Sequence, residues 1–312
     1  GYDACDVGVV LNVSADHLGQ KGIHTVEQLA AVKAVIPSVV KPGGHAVLNA
    51  DQPLVLAMRE RTRGTVVLTS LLVERNPAVA EHLAAGGAAV VVEEVDGREA
   101  FVVRRGAERV PVAAVADVPL TLGGAALFQV ENVLAAVAAA YSRGMPLDTI
   151  RDGLLSFFPS AASTPGRMNV LRTVRGTVVV DYAHNPAAVR AIVDFALRLP
   201  ARRRVGVVTM PGDRRDEDLR ELGGIAAGLD HVVVKEHDRY RRGRAAGEVS
   251  RLIGEGLEAG GLPADRWETV LREPEAVARA LDLVEEGDLL VILADDTADV
   301  LAQLRPLVVE GP

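Results

Sequence analysis

The sequence predicts an α/β fold with a mainly parallel sheet, and three observations carry that expectation. Short Val-rich runs alternate with Ala/Leu-rich stretches at helical spacing. Polar clusters follow directly on several of the runs, at the strand ends where such folds place their sites. Hydrophobic residues make up 49% and aromatics only 3%, so the cores must be built from Val, Leu and Ala.

VGVVLNV (7–13) reads as a buried strand. Thr25 followed three residues later by Gln28 has the spacing of a capping box, opening a helix over VEQLAAVKAVIPSVV. HAVLNADQP is a strand and a turn, with Asp51 placed to cap the helix PLVLAMRER. Residues 88–115 depart from the parallel plan: turns at Asp96–Gly97 and Arg105–Gly106 between Val-rich arms predict an antiparallel meander. A long helix follows, VENVLAAVAAAYSRG, apolar at 130, 133, 134, 137 and 141 and stopped by Gly144.

The small, polar, proline-bearing stretch SAASTPG sets a domain boundary near residue 163, giving domains 1–163 and 164–312. Past it the pattern restarts. Strands TVVVDY, RVGVVTM, HVVVKE and DLLVIL alternate with helices PAAVRAIVDFALRL, DLRELGGIAAGL, AAGEVSRLIGEGL and PEAVARALDLV, a Rossmann-like doubly wound domain.

Composition narrows the function classes. The net charge of −8 argues against nucleic acid and against an anionic membrane surface. The basic runs ARRRV (201–205) and RYRRGR (239–244) fit solvated faces or small-anion sites better than a nucleic-acid footprint. A single cysteine, Cys5, excludes an internal disulfide framework and an all-cysteine zinc site, and fits a reducing, cytoplasmic setting. No apolar run reaches the roughly 18–20 residues that span a bilayer. The chain opens on Gly1 with a strand close behind, as a piece of a longer polypeptide would.

Three strand-end clusters bear chemistry. In NVSADHLG (12–19), Asp16 and His17 fit a divalent-cation pair and a helix cap with a satisfied histidine equally well. In DYAHNP (181–186), Asn185 and Pro186 are what a helix start requires, whereas Asp181 and His184 have no such account and point to a ligand. In MPGDRRDEDLRE (210–221), the acids including Asp213 suit the helix amino end, while Arg214 and Arg215 oppose its dipole and are candidates for an anionic ligand. KEHDRYRRGR, with Glu236 and Asp238, is either a substrate-contacting or a solvated loop. No G-x-S-x-G, H-E-x-x-H, C-x-x-C or G-x-x-x-x-G-K-[ST] occurs.

NVSADHLG, Lys33 on the next helix, LNADQP, FQVENVLAA, TPGRMNV and DYAHNP occur in that order across nearly the whole chain. Together they resemble the Mur ligase family of ATP-dependent amide ligases. The resemblance implies a partial central ATPase domain followed by the carboxy-terminal domain, with the phosphate loop and an ATP-grasp half upstream of Gly1. It implies ATP and Mg2+ as cofactors, and a homo-oligomeric parent enzyme of which this chain alone is inactive. By position, His17 matches a magnesium-binding histidine and Lys33 a lysine that is carbamylated in many members. Asn132 matches an adenine-side asparagine, Arg167 a phosphate contact and Asp181 a ribose contact, with His184 beside the same nucleotide. Gln129 departs from the family's usual Asn.

GYDACDVGVVLNVSADHLG, GDRRDEDL and VILADD draw the likeness toward a polymer-extending member that adds arginine to the aspartate β-carboxylate of a polypeptide acceptor. Asp213, Arg214, Glu236 and Asp238 are then candidate substrate contacts, the acids receiving the arginine guanidinium. The alternatives are a folylpolyglutamate or peptidoglycan ligase, or a non-catalytic Mur-like module for binding or oligomerisation.

Overall fold

The computed structural model describes residues 3–309 except His17 and Leu72. The chain forms two compact units, one of Gly1–Ser14 with Ile23–Phe158 and one of Ala15–Gly22 with Pro159–Pro312.

The first unit is built on β1 (Cys5–Val10), α1 (Val26–Lys33), α2 (Val35–Ser38), β2 (Val40–Asn49), α3 (Pro53–Leu56), β3 (Thr65–Ser70), α4 (Pro77–Ala84), β4 (Ala88–Val95), β5 (Arg98–Arg105), β6 (Glu108–Ala114), α5 (Leu127–Ser142) and α6 (Leu147–Ser156). Its sheet runs β1-β2-β3-β4-β5-β6, parallel through β4 and antiparallel from β4 to β6. Period-2 alternation divides the valines between two cores. Leu48, Leu68, Val91 and Val102 belong to one. Their neighbours Val47, Val67, Val90 and Phe101 belong to the other, with Val130, Val133, Leu134 and Val137 of α5.

The capping box of α1 forms as expected, with Gln28 N 3.2 Å from Thr25 Oγ1. The helix over 26–40 does not run through: it ends at Lys33, resumes as a single turn, and Val40 already belongs to β2. Asp51 does not cap α3, whose N-cap is Gln52. Its carboxylate instead accepts from Ser70 Oγ at 2.6 Å, Leu71 N at 2.6 Å and Asn76 Nδ2 at 3.0 Å, tying the ends of two strands together. The Asp96–Gly97 turn has both residues at positive φ, 52° and 77°, which a tight hairpin requires.

The second unit contains β7 (Asn169–Thr173), β8 (Gly176–Asp181), α7 (Pro186–Arg198), β9 (Arg204–Val208), α8 (Asp216–Ala226), β10 (His231–Val234), α9 (Glu248–Ala259), β11 (Trp267–Thr269), α10 (Glu273–Leu283), β12 (Leu289–Leu293) and α11 (Thr297–Leu304). The sheet order is β11-β10-β9-β12-β8-β7, parallel except for the β7–β8 pair. β12 is therefore inserted between two strands that precede it, the order reversal of a doubly wound sheet. The short elements β7, β11 and α11 are not evident from pattern alone. ARRRV is spent internally: Arg202 and Arg203 pair with the buried Asp288 at 3.1 and 2.7 Å, and Arg204 donates to the Ala196 and Leu199 carbonyls.

α8 and α9 approach so closely that Gly223 and Gly256 face each other's backbone. A Cβ at Gly223 would run into the Ile253 carbonyl oxygen, and one at Gly256 into that of Arg220. Gly224, one residue on, is exposed, with nothing nearer its added Cβ than Gly256 O at 3.8 Å. Gly223→Ala is expected to lower unfolding free energy by about 1–3 kcal/mol through overpacking. Gly224→Ala should raise it by up to about 1 kcal/mol through helix propensity. Urea denaturation of the two variants checks the opposite signs.

Candidate functional site

Polar residues gather at the carboxyl ends of the strands in each unit. In the first, Lys33 closes the last turn of α1 and its Nζ donates to the Asn12 carbonyl at 3.0 Å. His17, the expected magnesium ligand, lies outside the described residues. Asn132 is exposed on α5 and donates from Nδ2 to Oε1 of the buried Gln129 at 2.9 Å. The departure at Gln129 thus orients Asn132. Asn132 opens on a cavity of about 300 Å³ whose other walls, including Val118, Leu120 and Phe157, are apolar. Beside Asn49 and Asp51, burial and the Asp51 charge push the Glu131 carboxyl above its usual range.

In the second unit, Asp181 ends β8 and is buried, its Oδ2 accepting from Met168 N at 2.9 Å. Burial raises its carboxyl, against the opposing pull of that bond and of Arg167. The turn carrying Arg167 is locked to the strand end: Asn169 accepts from Gly166 N at 2.7 Å and donates to Thr164 O at 2.9 Å, and Tyr182 N donates to Gly166 O at 2.9 Å. Asn185 caps α7 through Ala188 N at 2.9 Å, as expected. His184 Nδ1 lies 3.0 Å from the Tyr182 carbonyl and Nε2 3.8 Å from Asp16 Oδ2.

Asp16 also receives Asn185 Nδ2 at 3.2 Å, and Arg214 Nη2 is 3.0 Å from its Oδ1. Asp16 thus lies among donors of the second unit, Asn185 at one oxygen and Arg214 at the other. Arg214, 4% exposed, also binds Asp213 at 2.9 Å, and Arg215 binds Asp218 at 2.6 Å. The two arginines that oppose the helix dipole are thus balanced by adjacent carboxylates. Glu236 is drawn inward, accepting from Gly247 N at 3.0 Å and Ser250 N at 2.9 Å at the start of α9. Asp238 is solvent-facing and pairs with Arg241 at 3.1 Å. Both line a cavity of about 540 Å³, together with Arg272, Glu273, Asp296 and Asp299. Asp213 and Arg214 are not among its walls.

Sequence reasoning missed Lys235. Fully buried directly after β10, its Nζ lies 2.8 Å from Glu273 Oε1 and 2.7 Å from Asp295 Oδ2. Glu273 further accepts from the N–H groups of Asp295 and Asp296 at 2.8 and 2.9 Å. Burial would raise the Glu273 carboxyl, but Lys235 and these two N–H groups outweigh it and hold the group below its ordinary value. A cation straight after three valines, HVVVKE, was the available signal.

Because that pKa is depressed, Glu273 contributes stability above the ordinary glutamate pKa of about 4.3, lost as pH falls through the folded value. Lys235→Met would leave two buried carboxylates uncompensated, costing about 3–5 kcal/mol near neutral pH. Without Lys235, burial would push the Glu273 carboxyl up, so the variant should lose stability as pH increases from about 4 to 7, opposite to the Glu273 contribution in the native protein. Denaturation midpoints across that range provide the check.

Comparison with known proteins places these features. Residues 3–140 match the Mur ligase middle domain, and residues 166–295 the Mur ligase glutamate ligase domain. The chain is 44% identical over 306 residues to the cyanophycin synthetase of Synechocystis sp., covering 97% of this chain and 34% of that one. It is 29% identical over 318 residues to the UDP-N-acetylmuramoyl-tripeptide--D-alanyl-D-alanine ligase of Mycobacterium leprae, covering 98% and 59%. The fold is shared with folylpolyglutamate synthase from Mycobacterium tuberculosis (TM-score 0.68, 22% identity, 96% of this chain and 63% of that one). It is shared too with MurF from Acinetobacter baumannii (TM-score 0.66, 19% identity, 96% and 60%). The chain spans about a third of the length of the cyanophycin synthetase it matches. Carrying both the middle and the glutamate ligase domain in order, the chain belongs to the Mur ligase family.

Proposed function

We propose that this chain is the Mur-like part of a cyanophycin synthetase, an ATP-dependent ligase that joins arginine to the β-carboxylate of aspartate in a growing polypeptide. The observation that carries the reading is 44% identity sustained over 97% of the chain, against 29% for a peptidoglycan ligase. That gap disfavours the peptidoglycan alternative. The parent is read as a cytoplasmic homo-oligomer. Among the described residues, no helix is long and apolar enough to cross a membrane.

In the reaction proposed, an acceptor carboxylate oxygen attacks the γ-phosphorus of ATP, ADP leaves, and an acyl phosphate forms. The amine nitrogen of arginine then attacks the acyl carbon, the bond to phosphate breaks, and a proton leaves the nitrogen. Asn132, at the mouth of its apolar cavity, suits the polar edge of adenine with the ring faces on apolar walls. Asp181, Arg167 and His184 are the nucleotide contacts proposed from the second unit. Asp181 would accept from ribose hydroxyls, and the Arg167 guanidinium would balance phosphate charge.

Arginine is proposed to enter the 540 Å³ cavity, where Asp238, Asp296 and Asp299 present carboxylates to a guanidinium. Glu236 acts there as a wall and as the anchor of α9, since both its oxygens already accept backbone bonds. Asp213 and Arg214 act by shaping the loop after β9. Magnesium is a different matter. Lys33 as an ammonium ion is no metal ligand, and among the described residues no group of three or more His, Cys, Asp and Glu gathers. The metal contacts proposed by the resemblance are His17 and a carbamylated Lys33, and no step is assigned to the metal ion.

In the full-length parent enzyme, Asp238→Lys is expected to raise KM for arginine about tenfold or more, leaving KM for ATP unchanged. Steady-state ADP release with varied arginine measures it, and an unchanged KM for arginine removes Asp238 from the site. The purified chain alone, which holds no G-x-x-x-x-G-K-[ST] loop, is expected to show no magnesium-dependent ATP turnover.

A further inference from the structure

Two tyrosines at the strand ends of the second unit each carry an arginine over the ring, and one of the two arginines, Arg242, has no part in the nucleotide and arginine contacts. Tyr182 follows β8 and Tyr240 lies in the loop after β10. Burial, and next the neighbouring Tyr240 hydroxyl, push the Tyr182 phenol above its ordinary value. The Arg167 guanidinium carbon lies 5.5 Å from the centre of the Tyr182 ring, and that of Arg242 lies 5.4 Å from the centre of the Tyr240 ring. His184 and His237 sit beside the two rings, each with its centroid at 5.2 Å.

Both arginines are exposed, and both are presented by strained turns. Gly166 and Met168, on either side of Arg167, have φ of 68° and 51°. Arg242 itself has φ of 54°, with Gly243 at 96° behind it. Non-glycine residues in this region of φ are uncommon, and such strain collects where a side chain must be aimed.

The neighbouring arginines are spent on carboxylates: Arg241 on Asp238, Arg244 on Asp216 and Glu248, Arg214 on Asp16 and Asp213. Among the described residues, neither Arg167 nor Arg242 forms an ion pair. A guanidinium attracted to the face of a tyrosine ring makes no hydrogen bond to it and keeps N–H donors for a carboxylate. On a chain of net charge −8, a polyanion is repelled unless such a local site receives it.

We propose that Arg167 and Arg242, each supported on a tyrosine ring, bind successive carboxylates of an acidic polypeptide. The choice of aspartate as the acid rests on the ligase reading above; the site itself does not. Arg167 is shared with the nucleotide in that reading, so Arg242, which has no such part, carries the test.

The probe is fluorescein-labelled poly-L-aspartate titrated with this chain in the absence of ATP. Binding that weakens with added salt is expected. Arg242→Ala and Arg167→Ala should each weaken it about tenfold, Arg242→Lys should recover only part, and Arg190→Ala on α7 should leave it unchanged. Thermal melting of Arg242→Ala should match the unsubstituted chain, since the residue is exposed and without an ion partner. Tyr240→Phe, which keeps the ring and removes the hydroxyl, supplies a second variant and should weaken binding severalfold. Absence of poly-L-aspartate binding, or equal affinity in all the variants, overturns the proposal. It is overturned equally if tripolyphosphate binds with Arg242 dependence while poly-L-aspartate shows none, which marks a phosphate site. The ligase reading stands or falls separately, on ADP release by the parent enzyme.

Discussion

The buried ammonium group of Lys235 is the interaction on which the functional end of the second unit depends. It leaves β10, and its two carboxylate partners come from the start of α10 and the end of β12, so one cation joins three elements. Such a group is tolerated in a 0%-exposed position only when its charge is matched on the spot. Glu273 then uses its oxygens a second time, receiving the N–H groups of Asp295 and Asp296 and so fixing the turn into α11. This arrangement and the apolar packing of α10 and α11 beneath it together position the walls of the large cavity.

Elsewhere at the same end, charge is mostly settled internally. Arg244 binds Gly212 O at 2.7 Å, Arg214 O at 2.9 Å, and the carboxylates of Asp216 and Glu248, so one guanidinium joins the loops after β9 and β10 to α8 and α9. Arg214 is held between Asp16 and Asp213. Against that background, the cations laid on tyrosine rings stand apart, as do the acids that face the cavity. A protein that consumes most of its strand-end charges in self-pairing leaves few with which to meet a ligand, and this narrows the chemistry.

The first unit reaches its site by a different route. Asp51 binds a hydroxyl, a backbone N–H and a side-chain amide, so the strand ends of β2 and β3 are tied by hydrogen bonds to an anion rather than by an ion pair. Glu131, beside it, is left with a raised carboxyl because burial and a second negative charge act in the same direction. Asn132 and Gln129 share a hydrogen bond at the edge of an apolar cavity, so the base-recognition candidate is a pair.

By itself, the sequence determined what local rules govern. Valine runs and their alternation predicted most strands of both units, though not β3, β7 or β11; Thr25 and Gln28 gave the start of α1, Asp96–Gly97 the hairpin, and Asn185–Pro186 the cap of α7, because each depends on residues within a few positions. The ordered motifs identified the family for the same reason. Tertiary structure decided the partners. Asp51 was read as a cap and binds across two strands; Asp16, which fitted a cation pair and a helix cap equally well, meets Arg214 and Asn185, about 170 to 200 residues away. Lys235, Glu273 and Asp295 lie far apart in the chain, and no local pattern brings them together. A buried charge is satisfied by whatever the fold carries to it, and only the folded chain shows what that is.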